Sequence, residues 1–325
     1  MATNKGVTKG GKRAGGAKGL GPAIARGRRA AAEVIAFRAR QQRQRATVTA
    51  RMARPRAMAR IPERTRRALG SAVTAGVLIA EGDSWFDYPM HDVLRLLEDT
   101  HGYDVESVAH MGDCVEDMAY SGNQFEEFAR RLEKLLRNGK VPRAILLSGG
   151  GNDIAGDEFA ILINHALSSL PPINDDIVRG VIDVRLRDAY AFMIGGLTAI
   201  SQQYLNRSIP VVMHGYDYPV PDGRGVLGGW GPLPGPWLRP GFHKKGHGDQ
   251  VANGLVMKRL IDRFNVMLQE VSTASRFKHV HYLNLRGTLR NDPGNYKKDW
   301  GNELHPTGSG FELVAGKFAS VIGKL

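Results

Sequence analysis

From residue 72 onward, short apolar runs alternate with longer segments whose apolar residues recur at helical spacing. Glycine, proline or polar turn residues bound each run, which is typical of buried strands. The predicted strands are Val77–Ala80, Val105–Ala109, Ala144–Leu147, Pro210–His214 and His279–Leu285. The predicted helices are His91–Asp99, Phe125–Arg137, Glu158–Leu170, Val184–Leu205, Val251–Ser272 and Gly310–Ile322. Strands that alternate with helices predict an α/β fold, in which helices cover both faces of a parallel sheet.

Polar residues follow the predicted strands directly. Right-handed crossovers bring the carboxyl ends of parallel strands to one edge of the sheet, where open α/β sheets bind their ligands. Ser84 comes just after the first strand, and Gly82 allows the chain to turn tightly before it. Ser84 is therefore a candidate nucleophile, which needs a base and a set of N–H donors.

Candidates for these groups follow other strands or precede the last helix. Gly112 follows the second strand and could offer a backbone N–H, and Asn152 follows the third and could offer its amide. The glycines before Asn152 also fit a plain tight turn, but they match neither of the common phosphate-binding loop patterns. His305 precedes a proline, which favours an extended backbone there and a helix that begins afterwards. His305 is the candidate base.

The charge is distributed unevenly along the chain. Residues 1–68 contain nineteen Lys or Arg and two acidic residues, so the rest of the chain, with 26 basic and 30 acidic residues, is slightly acidic. Residues 1–25 are predicted to be disordered, and a basic helix is predicted around Ala30–Arg45. The basic segment is either a solvated arm or a contact for nucleic acid or an anionic membrane. It also resembles an organelle transit peptide, although it has few serines.

Composition limits the compartment and the cofactors. Cys114 is the only cysteine, so no disulfide forms within the chain. The sequence contains no secretory signal and no apolar run of about 18 residues that could span a membrane, which makes the cytoplasm the expected compartment. His243, His247 and Asp249 are ligand-type residues in a Gly-rich setting, but no metal site is predicted there, and no cofactor is predicted either.

An insertion over residues 215–249 follows the fourth predicted strand at the candidate site. It is rich in glycine and proline, so no regular structure is expected in it, and it is either a lid or pocket wall or a solvated excursion. Its aromatic residues, together with one beside the nucleophile, are the candidate substrate-binding residues. These are Trp85, Tyr216, Tyr218, Trp230 and Trp237.

Taken together, these residues resemble the sequence blocks of the SGNH/GDSL hydrolases, over roughly residues 76–325. The matching positions are Gly82-Asp83-Ser84, Gly112, Gly150 with Asn152 and Asp153, and His305. The resemblance implies a flavodoxin-like three-layer α/β/α domain, with five parallel strands in the order 2-1-3-4-5. It also implies ester hydrolysis through an acyl-serine, with Ser84 as nucleophile and His305 as base. The oxyanion hole would consist of the Ser84 and Gly112 N–H groups and the Asn152 amide.

One position departs from that pattern. The family usually has Asp three residues before the catalytic histidine, where this chain has Asn302. Asn302 could orient the imidazole through its carbonyl oxygen but supplies no charge. A backbone carbonyl or a carboxylate from elsewhere could also assist His305.

The predicted domains are a basic, largely disordered tail over residues 1–70 and a hydrolase domain over 71–325. The predicted function is that of a serine hydrolase acting on lipid, acyl or acetyl esters. The alternative is a polyanion- or ligand-binding protein with a catalytically weak hydrolase-like body. Deletion of the tail distinguishes the two, because esterase activity should survive it and salt-sensitive binding should not.

Overall fold

A computed structural model describes residues 19–52, 74–89, 91–226 and 234–325. Its centre is a sheet of five parallel strands in the order β2-β1-β3-β4-β5. The strands are β1 (Val77–Glu81), β2 (Asp104–Ser107), β3 (Ala144–Leu147), β4 (Val211–Gly215) and β5 (Val280–Asn284). All residues of β3 and β4 are buried, because helices cover both faces of the sheet. The predicted fold class and strand order are confirmed.

The helices form the two outer layers. They are α1 (Gly21–Met52), α2 (Val93–Asp99), α3 (Val115–Tyr120), α4 (Gln124–Arg137), α5 (Asp175–Val178), α6 (Arg187–Leu205), α7 (Arg239–Lys244), α8 (Gln250–Ser272) and α9 (Gly308–Ile322). Residues Arg179–Leu186 form a π-helical segment that joins α5 to α6. Helices α2 and α9 pack together, and α4 and α8 both contact α6. Among the described residues, no helix is long and apolar enough to cross a membrane.

The predicted helix over Glu158–Leu170 is wrong. A 3₁₀ helix covers Gly156–Ile161 instead, and the chain then turns back so that Ile163 pairs with Ile173. Two consecutive prolines just before Ile173 favour an extended chain over a helix. Leu167, which lies within the predicted helix, is 91% exposed. The next predicted helix begins earlier than expected, at Asp175, where the Asn174 side chain accepts from the Ile177 N–H.

Helix α1 differs from the predicted tail. The helix predicted around Ala30–Arg45 lies within it, but the described residues before Ala30 are neither disordered nor detached from the body. The helix packs on α6 through small and apolar residues at helical spacing, which are Ala23, Ile24, Gly27, Ala31 and Val34. Disorder was predicted up to residue 25 because that segment has almost no large apolar residue, yet Ala23 and Ile24 are buried in this contact. The boundary near residue 70 lies outside the described residues, so the division into two domains stays a prediction.

Candidate active site

The turn that carries Ser84 is fixed by its neighbours. It follows β1 at the carboxyl edge of the sheet. A Cβ atom at Gly82 would lie only 2.6 Å from the Ser148 Cβ, so only glycine fits without a shift. The Asp83 carboxylate accepts from the Trp85 N–H at 3.0 Å, which stabilises the turn around the serine. Ser84 is 5% exposed.

Ser84, His305 and Asn302 lie together although they come from opposite ends of the domain. The Ser84 Oγ lies 2.8 Å from the His305 Nε2, and the His305 Nδ1 lies 3.0 Å from the Asn302 Oδ1. The Asn302 Oδ1 also accepts from the N–H groups of Leu304 and His305, at 3.0 and 2.8 Å. These two bonds identify it as the carbonyl oxygen, so the His305 Nδ1 donates to it and the Nε2 is free to accept from Ser84.

Two aromatic rings hold the imidazole in place. Tyr88 stacks on His305, with ring centres 4.2 Å apart and an angle of 17° between planes, and its hydroxyl accepts from the Asn302 amide at 3.1 Å. The Trp237 ring meets His305 edge-on at 5.3 Å. Tyr88 therefore fixes both His305 and its partner. The sequence suggests it only by its closeness to Ser84, because it bonds a residue 214 positions away.

The electrostatic setting of His305 is neutral. Burial lowers the pKa of His305 from 6.5 to about 3, because the protonated ring loses its hydration. Among the described residues, no carboxylate bonds to either ring nitrogen. Asn302 offers only the dipole of its amide. The imidazole is consequently unprotonated at neutral pH, which is the form that can accept a proton.

The expected oxyanion donors come from three segments, which are the Ser84 turn, the Gly112 loop and the Asn152 turn. Within the described part of the chain, no hydrogen bond uses the N–H of Ser84 or that of Gly112. Gly112 has φ of 96°, and open space surrounds the position where its side chain would be. Its loop is tied to the Ser84 turn, because the His110 N–H donates to the Gly82 carbonyl at 3.0 Å. The Asn152 amide donates one hydrogen to the Asp113 carbonyl at 2.9 Å, which leaves its second N–H available.

Glu303 anchors the insertion to the loop that bears His305. Its fully buried carboxylate accepts from the N–H groups of Gly223, Trp237, Leu238 and Arg239, at 2.7–3.1 Å. These bonds bring Trp237 to the imidazole. They also satisfy N–H groups where α7 begins. The insertion therefore contains a helix, although its composition suggested that it would form no regular structure. This role could not be predicted from the sequence, because the partners of Glu303 are 64–80 positions away in the chain.

Only some of the predicted substrate-binding residues lie beside Ser84. Trp85 and Tyr216 line a cavity beside Ser84, but both are largely buried. The Trp85 indole N–H donates to the Leu304 carbonyl at 3.0 Å. Tyr218 does not line this cavity, and its hydroxyl bonds to Asp262 at 2.7 Å. Trp230 lies outside the described residues.

The cavity beside Ser84, called here the catalytic cavity, is mainly aliphatic away from the reacting groups. Asn152 and Trp85 line it together with Ser84, Asp83, Asp217 and Trp300. The aliphatic side chains come from the 3₁₀ turn after β3, from α8 and from the His305 loop, and include Ile154, Leu238, Met257, Ile261 and Leu304. A cavity of this kind suits an apolar group attached to a reacting carbonyl.

A buried polar cluster lies behind Ser84. The Ser148 hydroxyl donates to the Asp83 Oδ1 at 2.7 Å and lies 2.8 Å from the His214 Nε2, and the Tyr216 hydroxyl donates to the Asp83 Oδ2. Burial raises the pKa of Asp83 and lowers that of His214 to about 3. Asp83 is thereby occupied by Ser148 and Tyr216, and it does not assist His305.

The residues that resembled metal ligands have other partners. The His247 Nε2 lies 2.9 Å from the Asn164 carbonyl, and Asp249 caps α8 by accepting from the Val251 and Ala252 N–H groups. In the described ranges, no group of three or more His, Cys, Asp or Glu side chains could hold a metal ion.

The chain matches the sequence profile of the GDSL-like lipase/acylhydrolase family over residues 68–313. No curated protein matches it. Among solved structures, it is similar to a lipase from a goat rumen metagenome, at 14% identity and a TM-score of 0.45, over 76% of this chain and 97% of the other. An acetylxylan esterase from Geobacillus stearothermophilus aligns at 13% identity and a TM-score of 0.40, over 77% and 95%. A lipase/acylhydrolase from Enterococcus faecalis aligns at 16% and 0.38, over 77% and 97%.

Proposed function

The chain belongs to the GDSL-like lipase/acylhydrolase family and is a carboxylic ester hydrolase, and we propose that it acts through an acyl intermediate on Ser84. His305 would act as the general base, and Asn302 would hold its ring in the reactive tautomer. The N–H groups of Ser84 and Gly112 and the Asn152 amide would stabilise the oxyanion.

The reaction would proceed in two halves. The His305 Nε2 takes the Ser84 proton while the Ser84 Oγ attacks the ester carbonyl carbon. The carbon–oxygen bond to the alcohol then breaks, and His305 returns the proton to the leaving oxygen. His305 then takes a proton from a water molecule, whose oxygen attacks the acyl carbon. The bond from that carbon to the Ser84 Oγ breaks, His305 returns the proton to the Oγ, and the carboxylic acid leaves. In both halves, negative charge develops on the carbonyl oxygen, and each well-placed donor contributes about 3–4 kcal/mol to lowering the barrier.

One observation carries this proposal. The Ser84 Oγ lies 2.8 Å from a histidine nitrogen that must accept, because the other ring nitrogen donates to the Asn302 Oδ1 at 3.0 Å. A serine that donates to an unprotonated imidazole is arranged for proton transfer. The N–H groups of Ser84 and Gly112, which no hydrogen bond among the described residues uses, support the second requirement of acyl transfer, a site for the oxyanion.

A covalent probe and a substitution test the nucleophile. We expect a fluorophosphonate to attach to Ser84, because its Oγ would displace fluoride from phosphorus, and peptide mass spectrometry would locate the adduct. Ser84→Ala should lose the adduct and lower kcat for p-nitrophenyl acetate by about 10⁴-fold or more. Ser320→Ala, which changes an exposed serine on α9, is the matched control. Full esterase activity in Ser84→Ala would refute the assignment.

A further inference from the structure

A side-chain amide on α4 joins the strand that leads to Ser84 to the loop that carries Gly112. The Gln124 Nε2 donates to the Glu81 Oε1 at 3.3 Å and also to the Asp113 Oδ2. Glu81 is the last residue of β1, and Asp113 directly follows Gly112. Both partners are carboxyl oxygens, so the nitrogen of the Gln124 amide faces them and uses both of its hydrogens. These two hydrogen bonds are called here the Gln124 bridge.

The Gln124 bridge lies between two acids that would repel each other if both were charged. Glu81 is 1% exposed, and its buried Oε2 has no hydrogen-bond partner among the described residues. Burial, and after it the negative charge of Asp113, raises the pKa of Glu81 to about 9. Glu81 is therefore uncharged at neutral pH, so that one amide group can bind both carboxyl groups.

Helix α4 gives the Gln124 bridge a rigid base. Gln124 is the first residue of the helix. The next residue, Phe125, is buried, and its ring centre lies 4.9 Å from that of Phe192 on α6. A side chain on a packed helix holds its partner more precisely than a side chain on a loop. Asp113 is therefore held in place relative to the sheet, although it lies in a loop itself.

Gly112 depends on its neighbours for its orientation. It has φ of 96° and no side chain, so its own torsion angles are little restricted. The Asp113 carbonyl accepts from the Asn152 amide at 2.9 Å, which joins the loop to the third expected donor. Through the Gln124 bridge, the Asp113 carboxylate joins the same loop to the strand before Ser84. One residue next to Gly112 thus connects the three segments that supply the expected oxyanion donors.

We propose that Gln124 is a positioning residue for ester hydrolysis, which holds the Gly112 N–H at the place where the oxyanion forms beside Ser84. This inference rests on the proposed function. Gln124 is not among the described residues that line the catalytic cavity, so it acts through Asp113 and not on the substrate. Because the oxyanion exists only during the reaction, a misplaced N–H slows the chemical step and leaves the binding of the ester unchanged.

The test breaks the Gln124 bridge in the full chain and then rebuilds it with donor and acceptor exchanged. Gln124→Glu keeps the size of the side chain, but it removes the amide hydrogens and adds a charge beside Asp113. We expect kcat for p-nitrophenyl acetate to fall about 10–100-fold, with KM unchanged. Adding Asp113→Asn supplies an amide from the other side and restores the net charge of the wild type. In this double variant, kcat should recover by about tenfold or more, because the two positions are coupled.

Two further variants show what the loss of kcat is due to. Gln124→Met removes the amide hydrogens without adding a charge, and it should also lower kcat about tenfold or more at constant KM. Gln203→Glu makes the change from amide to carboxylate at an exposed position of α6 and should leave both constants as in the wild type. A loss in Gln124→Glu that Gln124→Met does not share would be an effect of the added charge and would overturn the inference.

Hydrogen exchange separates this inference from the catalytic proposal, because it needs no turnover. The peptide that contains Gly112 should exchange its amide hydrogens faster in Gln124→Glu and more slowly again in the double variant, while exchange in β3 stays constant. If exchange responds in this way but hydrolysis survives Ser84→Ala, the Gln124 bridge holds the loop and the proposed function fails. If Ser84→Ala is inactive but Gln124→Glu keeps the wild-type kcat, the proposed function stands and the inference is overturned. A double variant that recovers nothing, or a rise in KM at constant kcat, would overturn it as well.

Discussion

At the residue scale, the unusual feature is that the proposed general base, His305, has an amide as its partner. The Asn302 Oδ1 accepts from the His305 Nδ1 and from two backbone N–H groups, so its orientation is fixed without a charge. Carboxylate partners stabilise the imidazolium that forms during acyl transfer. An amide partner gives orientation with less of that stabilisation. An aspartate would both orient the imidazole and stabilise the imidazolium, whereas Asn302 mainly orients the ring.

This separation predicts an unusual pH profile. Burial lowers the pKa of His305 to about 3, and the unprotonated ring is the active form, so kcat/KM for p-nitrophenyl acetate should be retained as pH falls through 6.5. Asn302→Asp adds a negative charge that favours the imidazolium, which raises the pKa and should move the acid limb up by about 1–3 pH units. The Tyr88 hydroxyl, which now accepts from Asn302, can donate to the new carboxylate, so the network is preserved.

The control for this pH profile is Asn302→Ala, which removes the amide and with it the group that orients the His305 ring. It should lower kcat/KM by roughly 10²-fold or more without raising the acid limb, because no charge is added. An acid limb that is the same in wild type and Asn302→Asp would show that the residue at this position does not govern the His305 pKa.

Sequence reasoning identified Ser84, Asn152, Asn302 and His305 as candidates, but it did not identify the bonds by which Tyr88 and Glu303 hold this region together. Ser84, Asn152 and His305 each follow a strand or precede a helix, so a linear pattern indicates them. Asn302 could be anticipated because three residues separate it from His305. Tyr88 had no such signal, because its contact depends on how two distant loops meet.

At the element scale, the insertion shows why composition alone was insufficient. Its glycines and prolines suggested an irregular excursion, yet α7 forms within it, with Pro240 in the first turn, where a missing N–H costs nothing. The prediction of a helix over Glu158–Leu170 was wrong because the chain pairs Ile163 with Ile173, and this tertiary contact outweighs the helical spacing of the apolar residues. The central strands β1, β3 and β4 were predictable because strands covered on both faces need continuous apolar runs.

Glu303 should therefore control both the stability and the activity of the site. Glu303→Ala leaves four N–H groups without their acceptor and should lower the free energy of unfolding by about 3–5 kcal/mol, with a matching fall in Tm. Because Trp237 would lose its anchor next to His305, kcat/KM should fall as well. Denaturant unfolding and ester kinetics measure the two effects.

Two further variants make this result interpretable. Glu303→Gln keeps one acceptor oxygen but places an amide against N–H donors, so it should lie between wild type and Glu303→Ala in stability. Glu312→Ala changes an exposed glutamate on α9 and should alter stability by no more than about 0.5 kcal/mol. Wild-type stability in Glu303→Ala would mean that the insertion is held by other contacts.

At the scale of the whole molecule, helix α1 connects the basic segment to the hydrolase body. Its buried face packs on α6, while Arg26, Arg28 and Arg29 are exposed. The excess of positive charge is thus attached to the body by a packed helix, at least over this part of the segment. Contact with a polyanion or a membrane stays a prediction, which salt-dependent binding to heparin would measure.

A substitution of Gly27 in α1 should raise or lower the free energy of unfolding, depending on whether α1 packs on α6. A Cβ atom at Gly27 would lie 1.9 Å from the Phe192 carbonyl oxygen, so Gly27→Ala must push α1 away from α6 and should lower the free energy of unfolding by about 1–3 kcal/mol. On a detached helix, the same change would stabilise α1 by up to about 1 kcal/mol, because alanine is the better helix former. Gly316→Ala on α9, where nothing lies within 4 Å of the added Cβ, supplies that stabilising reference. Thermal unfolding of both variants tests whether α1 packs on α6. A Tm for Gly27→Ala at or above that of the wild type would show that the basic helix does not pack on the body.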